Sequence, residues 1–171
     1  MIKYRSTRGG GRELSSAKGV IAGTADDKGL YVPEKIPEID IAAMTGKKYK
    51  QVAAEVIGAF FTDYTKKEIK DCVDGAYDEK FEAEDIVPVT KAGGAYFLEL
   101  YHGKTAAFKD LALSILPYLL TAAIKKEHEE KKVCILTATS GDTGKAALEA
   151  FSDVAGTEII VFYPNEGVSK V

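Results

Sequence analysis

The sequence predicts an α/β protein in which a mostly helical unit, residues 1–85, precedes the beginning of a parallel-sheet unit, residues 86–171. Two amphipathic patterns in the first half indicate helices. A strand–helix–strand succession within about thirty residues near the C-terminus is typical of a βαβ unit and hence of a parallel sheet. One such unit cannot cover both faces of a parallel sheet. We therefore expect an incomplete fold, and expect this chain to be part of a longer protein.

The helical unit opens with turns and short elements. Ser15 or Ser16 is suited to cap a short helix that ends near Gly23. Residues 30–32 read as an extended piece, since Pro33 disfavours helix in the residue before it.

Two longer helices are predicted next, over residues 47–61 and 65–80. Thr65 and Glu68 have the spacing of a capping box, which marks a helix start. Apolar residues recur near the helical period in both segments. They are Val52, Val56, Ala59 and Phe60 in the first, and Ile69, Cys72, Val73 and Ala76 in the second.

A hairpin and a long helix are predicted after residue 85. Strands at 86–91 and 95–101 are joined by Gly93-Gly94, which accepts the positive φ angles of a tight turn. A helix over residues 109–131 follows, with a first half apolar on almost every side, which is typical of a buried helix. Pro117 is expected to kink it.

The βαβ unit consists of a strand at 133–137, a helix at 143–151 and a strand at 158–163. The first strand is continuously apolar, and this predicts that both of its faces are covered.

Composition narrows the class of protein but not its chemistry. The net charge of −3, from 23 basic and 26 acidic residues, argues against a nucleic-acid-binding protein. A long apolar run and a secretory signal are not seen, so we expect a soluble cytoplasmic protein without a membrane partner. Cys72 and Cys134 are expected to be buried, reduced thiols. His102 and His128 lack ligand-like neighbours, and we predict no metal site.

Lys109 is the first candidate for chemistry. It lies in the segment from His102 to Asp110, at the predicted start of a buried helix, where the helix dipole and apolar surroundings should lower the lysine pKa. Such an amine can attack an aldehyde and form a Schiff base. Pairing with Asp110 would oppose that shift. A surface lysine with Asp110 complementing the dipole is the alternative.

The segment from Thr137 to Gly144 is the second candidate. It follows the first strand of the βαβ unit and opens a helix, and parallel sheets bind ligands at this position. Free amides at the helix start and the hydroxyls of Thr139, Ser140 and Thr143 suit a carboxylate or phosphate. Gly141 permits close approach of a ligand to the backbone. An N-cap and tight turn without a ligand remains the alternative. Neither this segment nor the one at Gly103 has the spacing of a nucleotide P-loop.

Together these motifs resemble the threonine synthases, pyridoxal phosphate enzymes with a tryptophan-synthase-β-like fold. The segment from His102 to Asp110 is similar to the family's H-G-x-T-x-A-F-K-D signature, with Lys104 where proline is common, and T-A-T-S-G-D-T-G at Thr137 matches without change. Further similar segments are Tyr4–Gly9, Asp27–Pro33 (with Lys28 in place of glycine), Tyr163-Pro164 and Gly167–Ser169. The resemblance covers nearly all 171 residues.

The resemblance implies an N-terminal threonine-synthase domain over 1–85 and the first part of a pyridoxal phosphate catalytic domain over 86–171. It implies that Lys109 holds pyridoxal 5′-phosphate covalently and moves protons, with Phe108 and Asp142 also beside the cofactor. Asp142 stands where related enzymes often have asparagine. The substrate-binding residues implied are Thr139, Ser140, Gly141 and Thr143. The enzyme would be a carbon–oxygen lyase acting on phosphates, converting O-phosphohomoserine and water to threonine and phosphate.

The resemblance also implies that the groups holding the cofactor phosphate and facing its pyridine nitrogen come later in the family's chains. We therefore expect these 171 residues alone to be inactive or nearly so. A related phospholyase or dehydratase, and a non-catalytic anion-binding module, remain alternatives. The sequence leaves the oligomeric state undefined.

Overall fold

The computed structural model describes residues 1–166, and the chain divides into two compact units. The first consists of Met1–Gly75 and Tyr118–Glu130, and the second of Ala76–Pro117 and the chain from Lys131 onward. Each unit thus combines two separate stretches of sequence. These units reflect internal packing, and the predicted domain division at residue 85 stays a prediction.

The elements alternate between helices and short strands, as the predicted α/β class requires. In chain order they are β1 (Tyr4–Ser6), α1 (Ser16–Ala22), β2 (Tyr31–Pro33), a 3-10 turn (Ala42–Met44), α2 (Tyr49–Phe60), α3 (Lys66–Ala76), β3 (Val89–Ala92), β4 (Ala95–Leu98), α4 (Asp110–Leu113), α5 (Leu116–Glu127), β5 (Val133–Ala138), α6 (Asp142–Phe151) and β6 (Thr157–Phe162). Strands β1 and β2 pair antiparallel. Among the described residues, no helix is both long and apolar enough to cross a membrane.

The helix starts of the first unit follow local sequence signals. The amide of Lys18 donates to Ser15 Oγ at 3.3 Å, so Ser15 is the cap of α1. At α3 the capping box is formed in both directions. The Thr65 amide donates to Glu68 Oε2 at 2.6 Å, and the Glu68 amide donates to Thr65 Oγ1 at 3.2 Å. Both predicted starts are confirmed, although α3 ends at Ala76 rather than near residue 80.

The apolar side of α3 is part of the buried core. The predicted stripe of this helix is buried throughout: Ile69, Cys72, Val73 and Ala76. The Tyr64 hydroxyl donates to the Leu119 carbonyl at 2.9 Å in buried surroundings. A Cβ atom at Gly75 would lie 2.5 Å from Cε1 of Tyr118, so this glycine permits close packing of the helices. By contrast, α2 has no fully buried residue.

The second unit contains the predicted hairpin. Strands β3 and β4 pair antiparallel, with Ala92 opposite Ala95. Gly93 and Gly94 have φ angles of 55° and 83°, the left-handed values that a tight turn needs. The prediction of the hairpin is confirmed, with both strands shorter than expected.

The predicted long helix over 109–131 is wrong in its middle. Two helices, α4 and α5, replace it, and Pro117 is the second residue of α5. Proline has no amide hydrogen, and its ring clashes with the carbonyl four residues earlier, which here belongs to Leu113. Since α4 ends at Leu113, the chain breaks at that carbonyl and starts a new helix, where proline is tolerated.

The βαβ unit is confirmed, because β5 and β6 pair parallel with Val133 opposite Thr157. The expectation that β5 is covered on both faces is wrong for this chain. Alternate residues of both strands are exposed, with Leu136 at 66%. Cys134 lies on this exposed face, so only Cys72 fulfils the expectation of a buried thiol.

Candidate functional site

Lys109 stands directly before α4, with its main chain fixed by that helix. Its carbonyl accepts hydrogen bonds from the amides of Ala112 and Leu113, at 3.1 and 2.9 Å. The half-buried side chain carries Nζ to 4.4 Å from the ring centroid of Phe108, which is itself exposed. Thus a primary amine rests over an aromatic face near the surface of the second unit.

The helix that follows Lys109 is much shorter than expected. The sequence predicts a long helix that starts at Lys109, whereas α4 has only four residues. A macrodipole sums over aligned peptide units, so a short helix supplies less of it.

Asp110, whose pairing with Lys109 was the alternative, binds other groups. Its carboxylate accepts from the Thr105 amide at 2.9 Å and from the Thr105 hydroxyl at 2.5 Å, and the residue is buried. The carboxylate therefore holds the preceding loop.

His102, at the start of the same segment, is paired with a neighbouring acid. Its Nε2 lies 2.6 Å from Glu99 Oε2, and its ring packs against Tyr101 at 4.6 Å between centroids. The hydrogen bond from His102 is the main reason that the pKa of Glu99 is lowered. This pair ties the end of the hairpin to the lysine segment.

The hydroxyl-rich turn leads from β5 into α6. The Thr139 amide donates to the Phe162 carbonyl at 2.9 Å, and the Gly141 amide donates to Thr139 Oγ1 at 3.2 Å. Thr139 thus shapes the turn itself. The residues after it are exposed: Ser140, Gly141, Asp142 and Thr143. As Gly141, the N-cap of α6, has no side chain, the first amides of the helix receive no side-chain cap from it.

Gly144 sets how closely α6 approaches the sheet. A Cβ atom there would lie 2.1 Å from Thr139 Cγ2 and 3.1 Å from Val161 Cγ1. At the first distance two carbon atoms overlap strongly, and at the second they are in tight contact. A glycine at this position therefore lets the first turn of α6 rest against the ends of β5 and β6, with the exposed turn beside it.

The two predicted segments lie in the same compact unit, and the helices that follow them, α4 and α6, are in contact. Lys104, in the loop before Lys109, forms an ion pair with Glu149 of α6 at 2.7 Å. Both partners are substantially exposed, so the pair contributes little to stability but reports the proximity of the two segments. The arrangement offers an amine and, on the neighbouring helix, hydroxyls and free amides for an anion.

Sequence reasoning missed three residues of this region: Gly103, Thr105 and Gly144. Each acts through a contact within its own segment, with Asp110 for the first two and with Thr139 for the third. In the sequence, the one sign of their importance is that they lie inside the two motifs.

Comparison with known proteins gives a consistent answer. Residues 3–77 match the family described as "Threonine synthase N terminus". A threonine synthase from Pseudomonas aeruginosa is 36% identical over 175 residues, which cover 99% of this chain and 37% of that protein. "Threonine synthase-like 2" from Xenopus laevis is 35% identical with the same two coverages.

Solved structures of threonine synthases are also similar to this chain. Pyridoxal-phosphate-bound threonine synthase from Brucella melitensis is similar with a TM-score of 0.88 and 35% identity, over 99% of this chain and 37% of that one. Yeast threonine synthase gives a TM-score of 0.84 and 28% identity, over 98% and 36%. The chain thus spans a little over a third of the length of these relatives. The segment Gly167–Ser169, noted for its resemblance, lies outside the described residues.

Proposed function

Since this chain carries the N-terminal region of the threonine synthase family, we propose that it supplies the lysine and the carboxylate-binding turn of a pyridoxal-phosphate-dependent threonine synthase. The full-length protein would convert O-phosphohomoserine and water to threonine and phosphate in the cytoplasm. Phosphate leaves from Cγ and water adds at Cβ. The observation that carries the proposal is the contact between α4 and α6, whose starts bear Lys109 and the hydroxyl-rich turn.

The residues at the start of α4 fit the cofactor. Its aldehyde requires an accessible primary amine, and Lys109 is a partly exposed residue on a main chain that α4 fixes. When bound, pyridoxal phosphate supplies an electron sink for a carbanion. Lys109 would hold the cofactor and would move protons at Cα and Cβ of the substrate. Phe108 and Asp142 would lie beside the cofactor.

The residues at the start of α6 bind the substrate. The exposed amides of the first turn and the hydroxyls of Ser140 and Thr143 hold the substrate carboxylate, because a helix N-terminus favours an anion. Gly141 leaves room for that carboxylate. Thr139 shapes the turn through its bond to the Gly141 amide.

Activity requires more than this chain. In the family, the groups that hold the cofactor phosphate and face the pyridine nitrogen follow later in the sequence. We therefore propose that the 171 residues alone turn over O-phosphohomoserine slowly or not at all.

The test is an assay of the full-length protein with O-phosphohomoserine, following both threonine and phosphate. Lys109→Ala should abolish turnover, because the proposal assigns to this amine both the holding of the cofactor and the movement of these protons. Lys104→Ala is the matched control, since Lys104 belongs to the same segment but is engaged with Glu149 at the surface. Its activity should stay close to that of the unsubstituted protein.

The products separate the alternatives. Threonine together with phosphate supports the proposal. 2-Oxobutanoate would point to a related phospholyase or dehydratase on the same scaffold. Failure to turn over the substrate, with anion binding that depends on the α6 turn but not on Lys109, would point to a non-catalytic binding module.

A further inference from the structure

The residue after Lys109 is a buried acid. Asp110 is only 5% exposed, yet it carries a carboxylate. A charge that leaves water must be compensated by hydrogen bonds. Both donors come from one residue: the Thr105 amide donates to Oδ2 at 2.9 Å and the Thr105 hydroxyl to Oδ1 at 2.5 Å. The two carboxylate oxygens are thus directed into the loop that precedes the lysine.

That loop is built around the carboxylate. A Cβ atom at Gly103 would lie 2.5 Å from Asp110 Oδ2 and 2.6 Å from Asp110 Cβ. A larger residue would therefore displace the carboxyl group. Ala106, between these partners, has a φ of 56°, a left-handed value that is unfavourable for alanine and needs support from its surroundings. The Ala106 amide donates to the Gly103 carbonyl at 2.9 Å, which closes the turn.

We propose that Asp110, together with Thr105 and Gly103, is a positioning residue that fixes the direction of the Lys109 amine. This inference rests on the proposed function of Lys109. Its physical basis is that Lys109 lies between the loop and α4, and Asp110 joins the two. The same two hydrogen bonds also engage the Asp110 carboxylate. That carboxylate, one residue away, is otherwise a natural ion-pair partner for the Lys109 amine.

The test compares paired substitutions in the full-length protein. Thr105→Val removes the hydroxyl donor but keeps the side-chain shape, and Thr105→Ser keeps the hydroxyl. Asp110→Ala removes both acceptors, while Asp110→Asn keeps an acceptor for the Thr105 amide and a donor for its hydroxyl oxygen. Two quantities are measured on protein that circular dichroism shows to be folded. One is the rate at which pyridoxal phosphate is fixed to Lys109 by borohydride reduction, located by peptide mass spectrometry. The other is kcat and KM.

A positioning role predicts a specific pattern. Thr105→Val should slow fixation at Lys109 and lower kcat by about tenfold, and Asp110→Ala by on the order of a hundredfold. KM should change little, since substrate binding is assigned to the α6 turn. Thr105→Ser and Asp110→Asn should restore most of the loss.

A purely structural role would lower the melting temperature while leaving fixation and kcat per folded molecule unchanged, and that result overturns the inference. If a variant at one of the two positions, Thr105 or Asp110, does not fold, the pair of variants at the other position provides the same test. Absence of fixation at Lys109 in the unsubstituted protein would instead refute the proposed function, so the two failures are distinguishable.

Discussion

Replacing Gly144 with alanine tests how closely α6 must approach the parallel strands. The added Cβ atom would lie 2.1 Å from Thr139 Cγ2 and 3.1 Å from Val161 Cγ1. Carbon atoms in contact are normally at least about 3.5 Å apart, so the first contact is short by about 1.4 Å. Either the first turn of α6 or the end of β5 must move to accept the substitution.

Two effects of opposite sign decide how much Gly144→Ala changes the free energy of unfolding. Alanine is favoured over glycine inside a helix by about 0.5–1 kcal/mol. Overpacking a close contact costs about 1–3 kcal/mol. We expect the second effect to dominate, giving a net loss of about 1–2 kcal/mol in the free energy of unfolding. For a chain of this size, that lowers the melting temperature by about 2–8 °C.

The assay is thermal unfolding followed by circular dichroism, with two further substitutions. Thr139→Ser removes the Cγ2 methyl, so the double variant should recover about 1 kcal/mol of the loss. Gly58→Ala in α2 is the control for helix propensity, because a Cβ atom there meets nothing within 4 Å. It should leave stability unchanged or raise it. If Gly144→Ala melts at or above the temperature of the unsubstituted chain, or if Thr139→Ser fails to rescue it, the packing argument is wrong.

Three further predictions concern other parts of the chain. Iodoacetamide should label exposed Cys134 in the native protein but spare Cys72, whose pKa is raised to about 11, chiefly by burial; comparable labelling, seen by mass spectrometry, would contradict this. Tyr64→Phe should lower the free energy of unfolding by about 1 kcal/mol, because the buried hydrogen bond from the Tyr64 hydroxyl to the Leu119 carbonyl is lost; an unchanged urea midpoint would count against it. The Asp27 carboxylate accepts hydrogen bonds from a serine hydroxyl and two glycine amides, which lower its pKa. Its stabilisation is therefore present above the ordinary aspartate pKa of about 4 and is lost as pH falls through the lowered value. Asp27→Asn should flatten the acid side of the stability profile, and an unaltered profile would refute that assignment.

Features of the fold set by neighbouring residues could be predicted from the sequence. The capping box at Thr65 and the turn at Gly93 depend on residues within a few positions of each other, and both form as expected. The outcome at Pro117 was harder to predict. A proline can kink a helix or begin a new one, and the choice depends on how the flanking turns pack.

The burial of β5 could not be predicted at all from its own residues. Apolar residues show that a strand suits a covered position, but they do not identify the element that covers it. In the described structure, Leu136 and Cys134 of β5 are exposed.

The residues of the candidate site also differ in whether the sequence predicts them. Lys109 and the turn at Ser140 were identified because their positions, before a helix and after a strand, have chemical meaning within each segment. Gly144 and Thr105 are not predicted from the sequence, although their partners Thr139 and Asp110 each lie only five residues away. Whether atoms five residues apart in a loop meet depends on the path of the backbone, and the spacing alone does not specify that path.

The central claim is that the amine of Lys109 forms a specific site for pyridoxal phosphate. The most direct measurement is to incubate the full-length protein with one equivalent of pyridoxal phosphate, reduce with borohydride and map the modified peptides. We predict that the label is found on Lys109 at near-stoichiometric yield and that Lys104 remains unmodified. Label spread over exposed lysines, with no preference for Lys109, would contradict the account.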